Sequence, residues 1–478
     1  MNDKINKFTW QGANIKSLSF VLILGGLLWF CPAPEGLSVK TWHLFAIFFS
    51  TIVALIAKPL PMGAVAILSI ATATLTGTLT LKQSLSSFSS NIVWLIVSAF
   101  LLARGFIKTG LGSRIAYYFV SVLGKKTIGL AYGLTTTEFL LAPFMPSNTA
   151  RGAGIIYPII SSLNKEFDSS PDNGTERKIG SYLIKLLYQV NVVTSAMFLT
   201  ATAPNPLICG LAQKHDIIIT WGDWALAALV PGLCNLIILP LLLYYLYPPT
   251  IKNTPDAPKF ARIKLQQLGP LKVEECIMLG TFALLLTLWI FGGKYGINAT
   301  TSAFTGLSVL LLTGVLTWED IIKEKNAWNT FIWMATLIML SAKLTELGMM
   351  TWFGNNVQGM VQNLDWVSAI IFIVLLYFYS HYFFASMTAH VTSFFPALVV
   401  VGIAAGAPPM LLVLLLAVTS SLCAGITHYG TGSAPVFFGT NYVSIKDWWK
   451  LGFIVSVVNL LIWTIIGSLW WRVLGLWG

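Results

Sequence analysis

TIGLAYGLTTTEFLLAPFMPSNTARGAGIIYPIISS occupies residues 127–162. The stretch is apolar and longer than the ~20 residues a helix needs to cross a bilayer. Its middle is interrupted by Pro146-Ser147-Asn148-Thr149-Ala150-Arg151, which crowds two hydroxyls, a carboxamide and a guanidinium into one turn. Burying such groups unpaired costs several kcal/mol each, on the order of the penalties for polar groups in apolar media. Non-helical backbone survives at membrane depth only where protein or a water-filled cavity satisfies it. The interruption therefore reads as the tip of a re-entrant hairpin and points to a site. Helix N-terminal amides at such a tip are the donors a carboxylate needs. The plainer alternative is a hydrogen-bonded turn that merely joins two half-helices.

A second tip stands in register with the first. The shift that aligns Trp94 with Trp333 also aligns Ser147-Asn148-Thr149-Ala150-Arg151 with Ser386-Met387-Thr388-Ala389-His390. Upstream, Leu79-Thr80 pairs with Leu316-Thr317, each before a polar stretch and a Trp-bearing helix. The apolar region 366–404 around the second tip is interrupted like 127–162. Each tip also has a downstream break. Thr200-Ala201-Thr202-Ala203-Pro204-Asn205 ends one polar helix, and Thr427-His428-Tyr429-Gly430-Thr431-Gly432-Ser433 interrupts another. Pro removes a backbone donor and Gly relaxes the helix. The hydroxyls of Thr202 and Thr431 are placed to complete two anion cradles. Repeated halves with interrupted helices at matching positions mark the binding site of secondary transporters.

Composition agrees with a lipid environment. Of 478 residues, 56% are apolar and only 10% charged, and the mean hydropathy is +0.76; a soluble domain carries about 25% charged residues. The net charge of +11 fits the Lys and Arg that collect in cytoplasmic loops. No basic stripe interleaved with aromatics suggests nucleic acid. Cys31, Cys209, Cys234, Cys276 and Cys423 are scattered, with no CxxC pair and no His at zinc spacing. They read as small buried apolar residues, and no metal or cofactor is expected. No HExxH, GxSxG or paired acids supports an intramembrane enzyme. A receptor that binds an anion without moving it is a further class.

Spans are expected near 15–31, 41–57, 60–80, 91–108, 181–203, 225–247, 273–292, 297–316, 328–345, 408–430 and 448–470. Segments 163–180 and 248–271 look soluble, the second as a basic, Pro-rich linker between halves. With a cytoplasmic amino terminus, Lys4, Lys7 and most other basic residues fall on the inside. Lys185, Gln189, Asn191, Glu138 and His381 also lie within spans. Lys185 is expected to snorkel to an edge and Glu138 to pair with a neighbouring cation; none is assigned to the site.

At these residues the chain resembles the divalent anion:sodium symporter family, above all its 2-oxoglutarate/malate translocators and citrate/succinate-type exchangers. Ser147-Asn148-Thr149, Ser386-Met387-Thr388, Thr202-Ala203-Pro204-Asn205 and Leu316-Thr317-Trp318-Glu319-Asp320 carry the likeness. The resemblance implies an all-α integral membrane protein with about eleven transmembrane helices, two re-entrant hairpins and two inverted repeats. It also implies a homodimer working by an elevator motion, with scaffold parts 1–110 and 272–357, transport parts 111–247 and 358–478, and a linker at 248–271. Ser147, Asn148, Thr149, Ser386, Thr388, Thr202 and Thr431 would touch the carboxylates of a dicarboxylate substrate. A bacterial inner membrane is preferred to an organellar one.

The chain departs from the family pattern at two places. Met387 stands where sodium-coupled members carry an Asn, and Arg151 and His390 stand where small uncharged residues are expected. A thioether is a poor ligand for a hard cation. Arg151 and a protonated His390 are therefore expected to replace two sodium ions as fixed positive charges. Such a site would be near neutral when loaded and carry unbalanced charge when empty, which makes transport an obligatory, sodium-independent exchange. A sodium-coupled di- or tricarboxylate symporter is the alternative.

Overall fold

Helices whose apolar residues face outward as well as inward have lipid as their natural solvent. In Ile15–Phe30 only Val21 is buried, while Phe20, Ile23, Leu27 and Phe30 are exposed. The computed structural model describes residues 12–349, 351–353, 355–356 and 365–477. Over these the chain is helical, and its β-structure is limited to one isolated antiparallel bridge, Lys126 with Asn253. Among the described residues, eight helices are long and apolar enough to cross a membrane: Val39–Ala57, Asn91–Thr109, Trp221–Leu246, Val273–Tyr295, Trp366–Phe383, Met387–Ala404, Pro409–Ile426 and Ile445–Val473. Four shorter apolar helices join them: Ile15–Phe30, Met62–Leu75, Leu111–Leu123 and Ala299–Leu312. The basic Lys4 and Lys7 and the start of the segment 358–478 lie outside the described residues.

The chain divides into two units. The first holds the segment up to Phe88 together with Ile332–Trp352; the second holds Ser89–Phe331 and the chain from Phe353 onward. In the first unit, Leu44, Ile47 and Ile52 of Val39–Ala57 meet Met339, Leu340 and Leu344 in one core. The hydroxyl of Thr41 donates to the Leu347 carbonyl at 3.0 Å. In the second unit, all eighteen residues of Gly180–Met197 are buried, so this helix is the axle around which its neighbours pack.

The Leu-Thr repeat has a local cause. Thr80 and Thr317 are N-cap residues of short helices, each in a capping box, with Gln83 and Asp320 as the reciprocal partners. Asp320 also accepts from Lys108 at 2.6 Å. That hydrogen bond, then the Thr317 backbone, holds its carboxyl well below the usual aspartate range. A depressed folded-state pKa stabilises above the unfolded value and is lost as pH falls through the folded one. Asp320→Asn is therefore expected to lower the melting temperature at pH 7 by the equivalent of at most about 1 kcal/mol, because the pair is partly solvated. The gap to wild type should close in scans below about pH 4.

The linker 248–271 contains a helix, Ala257–Leu268, that packs on Leu111–Leu123. Its Ala257 and Ala261 are buried while Lys259 and Arg262 are exposed, and the charges masked the apolar edge. Lys185 does not snorkel: it is fully buried, donates to the Trp448 carbonyl at 3.0 Å and lies 4.2 Å from that indole. Of the cysteines, all free, Cys209 and Cys423 are buried, but Cys31, just past the end of Ile15–Phe30, and Cys276, in Val273–Phe291, are exposed.

Candidate anion site

The interrupted stretch folds as a hairpin. Thr127–Leu141 runs out, a 3-10 turn at Ala142–Phe144 reverses the chain, and Asn148–Arg151 begins the return that continues to Tyr157–Glu166. Ser147 is extended (φ −125°, ψ 106°) and caps the returning arm, its hydroxyl accepting from the Ala150 amide at 3.1 Å. The second tip repeats this. Ser386 (φ −148°, ψ 122°) caps Met387–Ala404, accepting from the Ala389 amide at 3.3 Å.

Arg151 is the brace of the first tip. Its guanidinium is wholly buried and donates to Glu138 at 2.9 Å, to Ser195 Oγ at 3.0 Å, and to the carbonyls of Met145 and Ala201. The tip is thereby tied to the break at Leu199–Ala201. A further bond, Thr200 Oγ1 to the Pro143 carbonyl, runs alongside. Glu138 Oε1 also accepts from Asn191 Nδ2 at 2.6 Å and Thr194 Oγ1 at 3.3 Å. Glu138 thus pairs with a cation as expected. The charge on Arg151 is balanced by this carboxylate, so it is not a surplus positive charge left for a substrate.

His390 sits at the corresponding place in the second half, and the same shift carries Glu138 to Tyr377. Where the first half has an ion pair, the second has a stacked pair: the His390 and Tyr377 rings lie 4.3 Å apart and nearly parallel. His390 Nε2 meets Ser380 Oγ at 2.9 Å, and its Nδ1 faces Cys423 Sγ at 4.0 Å. Phe384, Phe394 and His381 complete its aromatic surroundings. No carboxylate bonds to the ring among the described residues, so a protonated His390 would have no partner of opposite charge there.

The tips and breaks are cross-linked. Asn148 Nδ2 donates to Thr431 Oγ1 at 2.8 Å, joining the first tip to the second break. Asn191 Nδ2 donates to the Asn148 carbonyl at 3.0 Å, and Ser433 Oγ donates to Asn191 Oδ1 at 3.1 Å. Beyond the first break, Pro204–Ala212 packs on Met387–Ala404 of the second tip. Asn205 Nδ2 closes that break on the carbonyls of Ser195 and Phe198, at 2.7 and 2.9 Å. His381 Nε2 meets the Gly430 carbonyl at 2.8 Å at the second. Ser147, Asn148, Thr149 and Thr431 therefore form one cluster. Thr202 is extended and buried at the first break. Ser386 and Thr388 make their bonds within their own helix.

Ser147, Thr149 and Ala150 are partly open, and Gly432 is exposed beside them. This is where an anion can meet the first tip's amides and hydroxyls. A Cβ on Gly432 would lie 2.5 Å from Thr149 Oγ1, closer than any ordinary contact. Gly432→Val is expected to push Thr149 aside and lower substrate affinity at least tenfold, measured by equilibrium binding, with little change in expression.

Sequence reasoning left Glu138, Asn191, Ser195 and Ser433 outside the site, yet they hold its backbone. Asn191 and Ser195 are one turn apart on a helix buried on every face, so no polar stripe marks them. Glu138 lies in an apolar run thirteen residues before Arg151, a spacing that acquires meaning only once the chain doubles back.

A family model described as the sodium:sulfate symporter transmembrane region matches residues 12–477. YflS of Bacillus subtilis (strain 168), provisionally named a malate transporter, is 55% identical over 463 residues, covering 96% of each chain. Dicarboxylate transporter 1, chloroplastic, of Spinacia oleracea is 50% identical over 471 residues, 98% of this chain and 83% of its own. The L-tartrate/succinate antiporter of Escherichia coli O6:K15:H31 is 36% identical over 459 residues, 92% and 94%. Among solved structures, the Alcanivorax borkumensis YdaH transporter superposes with a TM-score of 0.56 at 12% identity, over 96% of this chain and 97% of its own. That likeness is one of fold.

Proposed function

Because the chain belongs to the divalent anion:sodium symporter family, a family of multi-pass membrane transporters and not of enzymes, we propose that it exchanges small dicarboxylates of the 2-oxoglutarate, malate and succinate class. The named relatives support the substrate class, and the antiporter among them supports exchange. The observation that carries the reading is the bond from Asn148 to Thr431. It draws a helix N-terminus, three hydroxyls and a broken helix to one point, a donor set suited to carboxylate.

Sodium independence has a physical basis in Arg151. A sodium ion needs several oxygen ligands, as hard cations do. The carbonyls of Met145 and Ala201 and the Ser195 hydroxyl already accept from the guanidinium. Met387 supplies no oxygen at the second tip. The resident side chain does a cation's structural work, and Glu138 balances its charge.

Exchange then follows from the donors and not from net charge. Loaded, the amides of the tips and the hydroxyls of Ser147, Thr149, Thr202, Ser386, Thr388 and Thr431 meet carboxylate oxygens. Empty, they would cross a dry barrier with partners missing, at about 1–3 kcal/mol for each group left unsatisfied. Every 1.4 kcal/mol slows that return about tenfold. The moving parts are assigned to 111–247 and 358–478, against 1–110 and 272–357, in a homodimer of the bacterial inner membrane with the amino terminus cytoplasmic.

Counterflow tests this. Proteoliposomes preloaded with unlabelled malate should accumulate labelled succinate or 2-oxoglutarate equally well in sodium and in choline medium. Empty liposomes should take up at least tenfold less. Fast uptake into empty liposomes on a sodium gradient would instead establish a symporter.

A further inference from the structure

Behind the second tip lies a cluster that the transport reading does not use. His381 ends the outgoing arm, His390 sits on the returning arm, and Cys423 opens the second break. All three are fully buried. One ring nitrogen of each histidine and the Cys423 sulfur lie within 4.8 Å of one another.

The hydrogen bonds around the rings set which nitrogens bear protons. The Gly430 carbonyl can only accept, so His381 Nε2 donates to it and carries the hydrogen. Its Nδ1 is then a lone pair, and this buried atom has no hydrogen-bond partner. Ser380 Oγ donates to the Tyr377 carbonyl at 2.9 Å, which leaves that oxygen to accept from His390 Nε2. His390 Nδ1 is thus a second lone pair, turned toward the Cys423 sulfur. An imidazole whose far N–H is held by a carbonyl or hydroxyl is the usual arrangement behind a metal ligand.

We propose that His381, His390 and Cys423 form a binding site for one soft monovalent cation, the cuprous ion. Two imidazoles and a thiolate are the soft donor set that selects copper(I) or zinc. Charge decides between them. Binding releases the thiol proton, so a cuprous ion with one thiolate is neutral. A zinc ion with the same ligands keeps one positive charge, without a carboxylate bonded to the cluster among the described residues, and prefers a fourth ligand. A bound ion would also pin the second tip to its break, because its ligands come from both.

The test uses the full-length protein with Cys31, Cys209, Cys234 and Cys276 changed to Ser, leaving Cys423 as its only thiol. Anaerobic titration with cuprous ion against a chromogenic chelator should find one equivalent bound. X-ray absorption should show one sulfur and two nitrogen neighbours. Adding Cys423→Ser or His381→Gln should weaken binding at least a hundredfold, with melting temperatures of the metal-free proteins unchanged within a few degrees. Retained affinity without Cys423, absorption lacking a sulfur neighbour, or one equivalent of zinc with no cuprous binding would each overturn the assignment. The spectrum of the parent protein decides the matter even if a variant fails to fold.

Discussion

Arg151→Ala should destabilise the protein by about 3–5 kcal/mol, because it leaves Glu138 charged and unpaired in a fully buried position. The variant also frees the carbonyls of Met145 and Ala201, which the guanidinium now ties together. Thermal unfolding in detergent should show a large loss, and transport should disappear with the folded protein. Arg151→Lys should recover only part of it, since an ammonium cannot span a carboxylate, two carbonyls and a hydroxyl as the planar fork does. The double variant Glu138→Gln/Arg151→Met should be more stable than Arg151→Ala, as the unpaired charge is gone. If Arg151 instead bound the substrate, Arg151→Ala would raise KM in a protein of normal stability. That outcome would return Arg151 to the role of an available cation.

Asn148→Ala should behave in the opposite way. The bond to Thr431 contributes about 1 kcal/mol to stability, so the protein should fold and melt near the wild-type temperature. Transport should fall further, because the substrate loses a donor and the position of Thr431 together. A hydrogen bond to a charged partner is worth about 1.5–3 kcal/mol, which corresponds to a loss of about 10- to 100-fold in kcat/KM. Thr431→Ala should give a similar loss. The double variant should be little worse than either, since the two side chains act as one unit. Additive losses would mean that they act separately.

The tips were legible because polar groups inside apolar runs are costly and therefore informative. Ser147-Asn148-Thr149 and Ser386-Met387-Thr388 stand out for that reason, and their common shift with Trp94 and Trp333 made them a pair. The helix breaks at Thr202 and Thr431 were announced by Pro204, Gly430 and Gly432. The electrostatic partners were hidden. Glu138 meets Arg151 across a hairpin, and Lys185 rests on Trp448, 263 residues away. His381, His390 and Cys423 converge from three elements with no ligand spacing to betray them. Gly180–Met197 is buried on every face, which removes the periodicity that would have shown Asn191 and Ser195 as one polar edge. The helix Ala257–Leu268 was missed for the reverse reason, a thin apolar edge under many charges.

A structure determined with malate bound tests the central claim most directly. One carboxylate should lie against the Ser147–Thr149 amides and the Asn148–Thr431 pair, with the other reaching toward Ser386, Thr388 and Thr202, while Arg151 stays on Glu138. Malate held by the Arg151 guanidinium, or bound away from both tips, would contradict it.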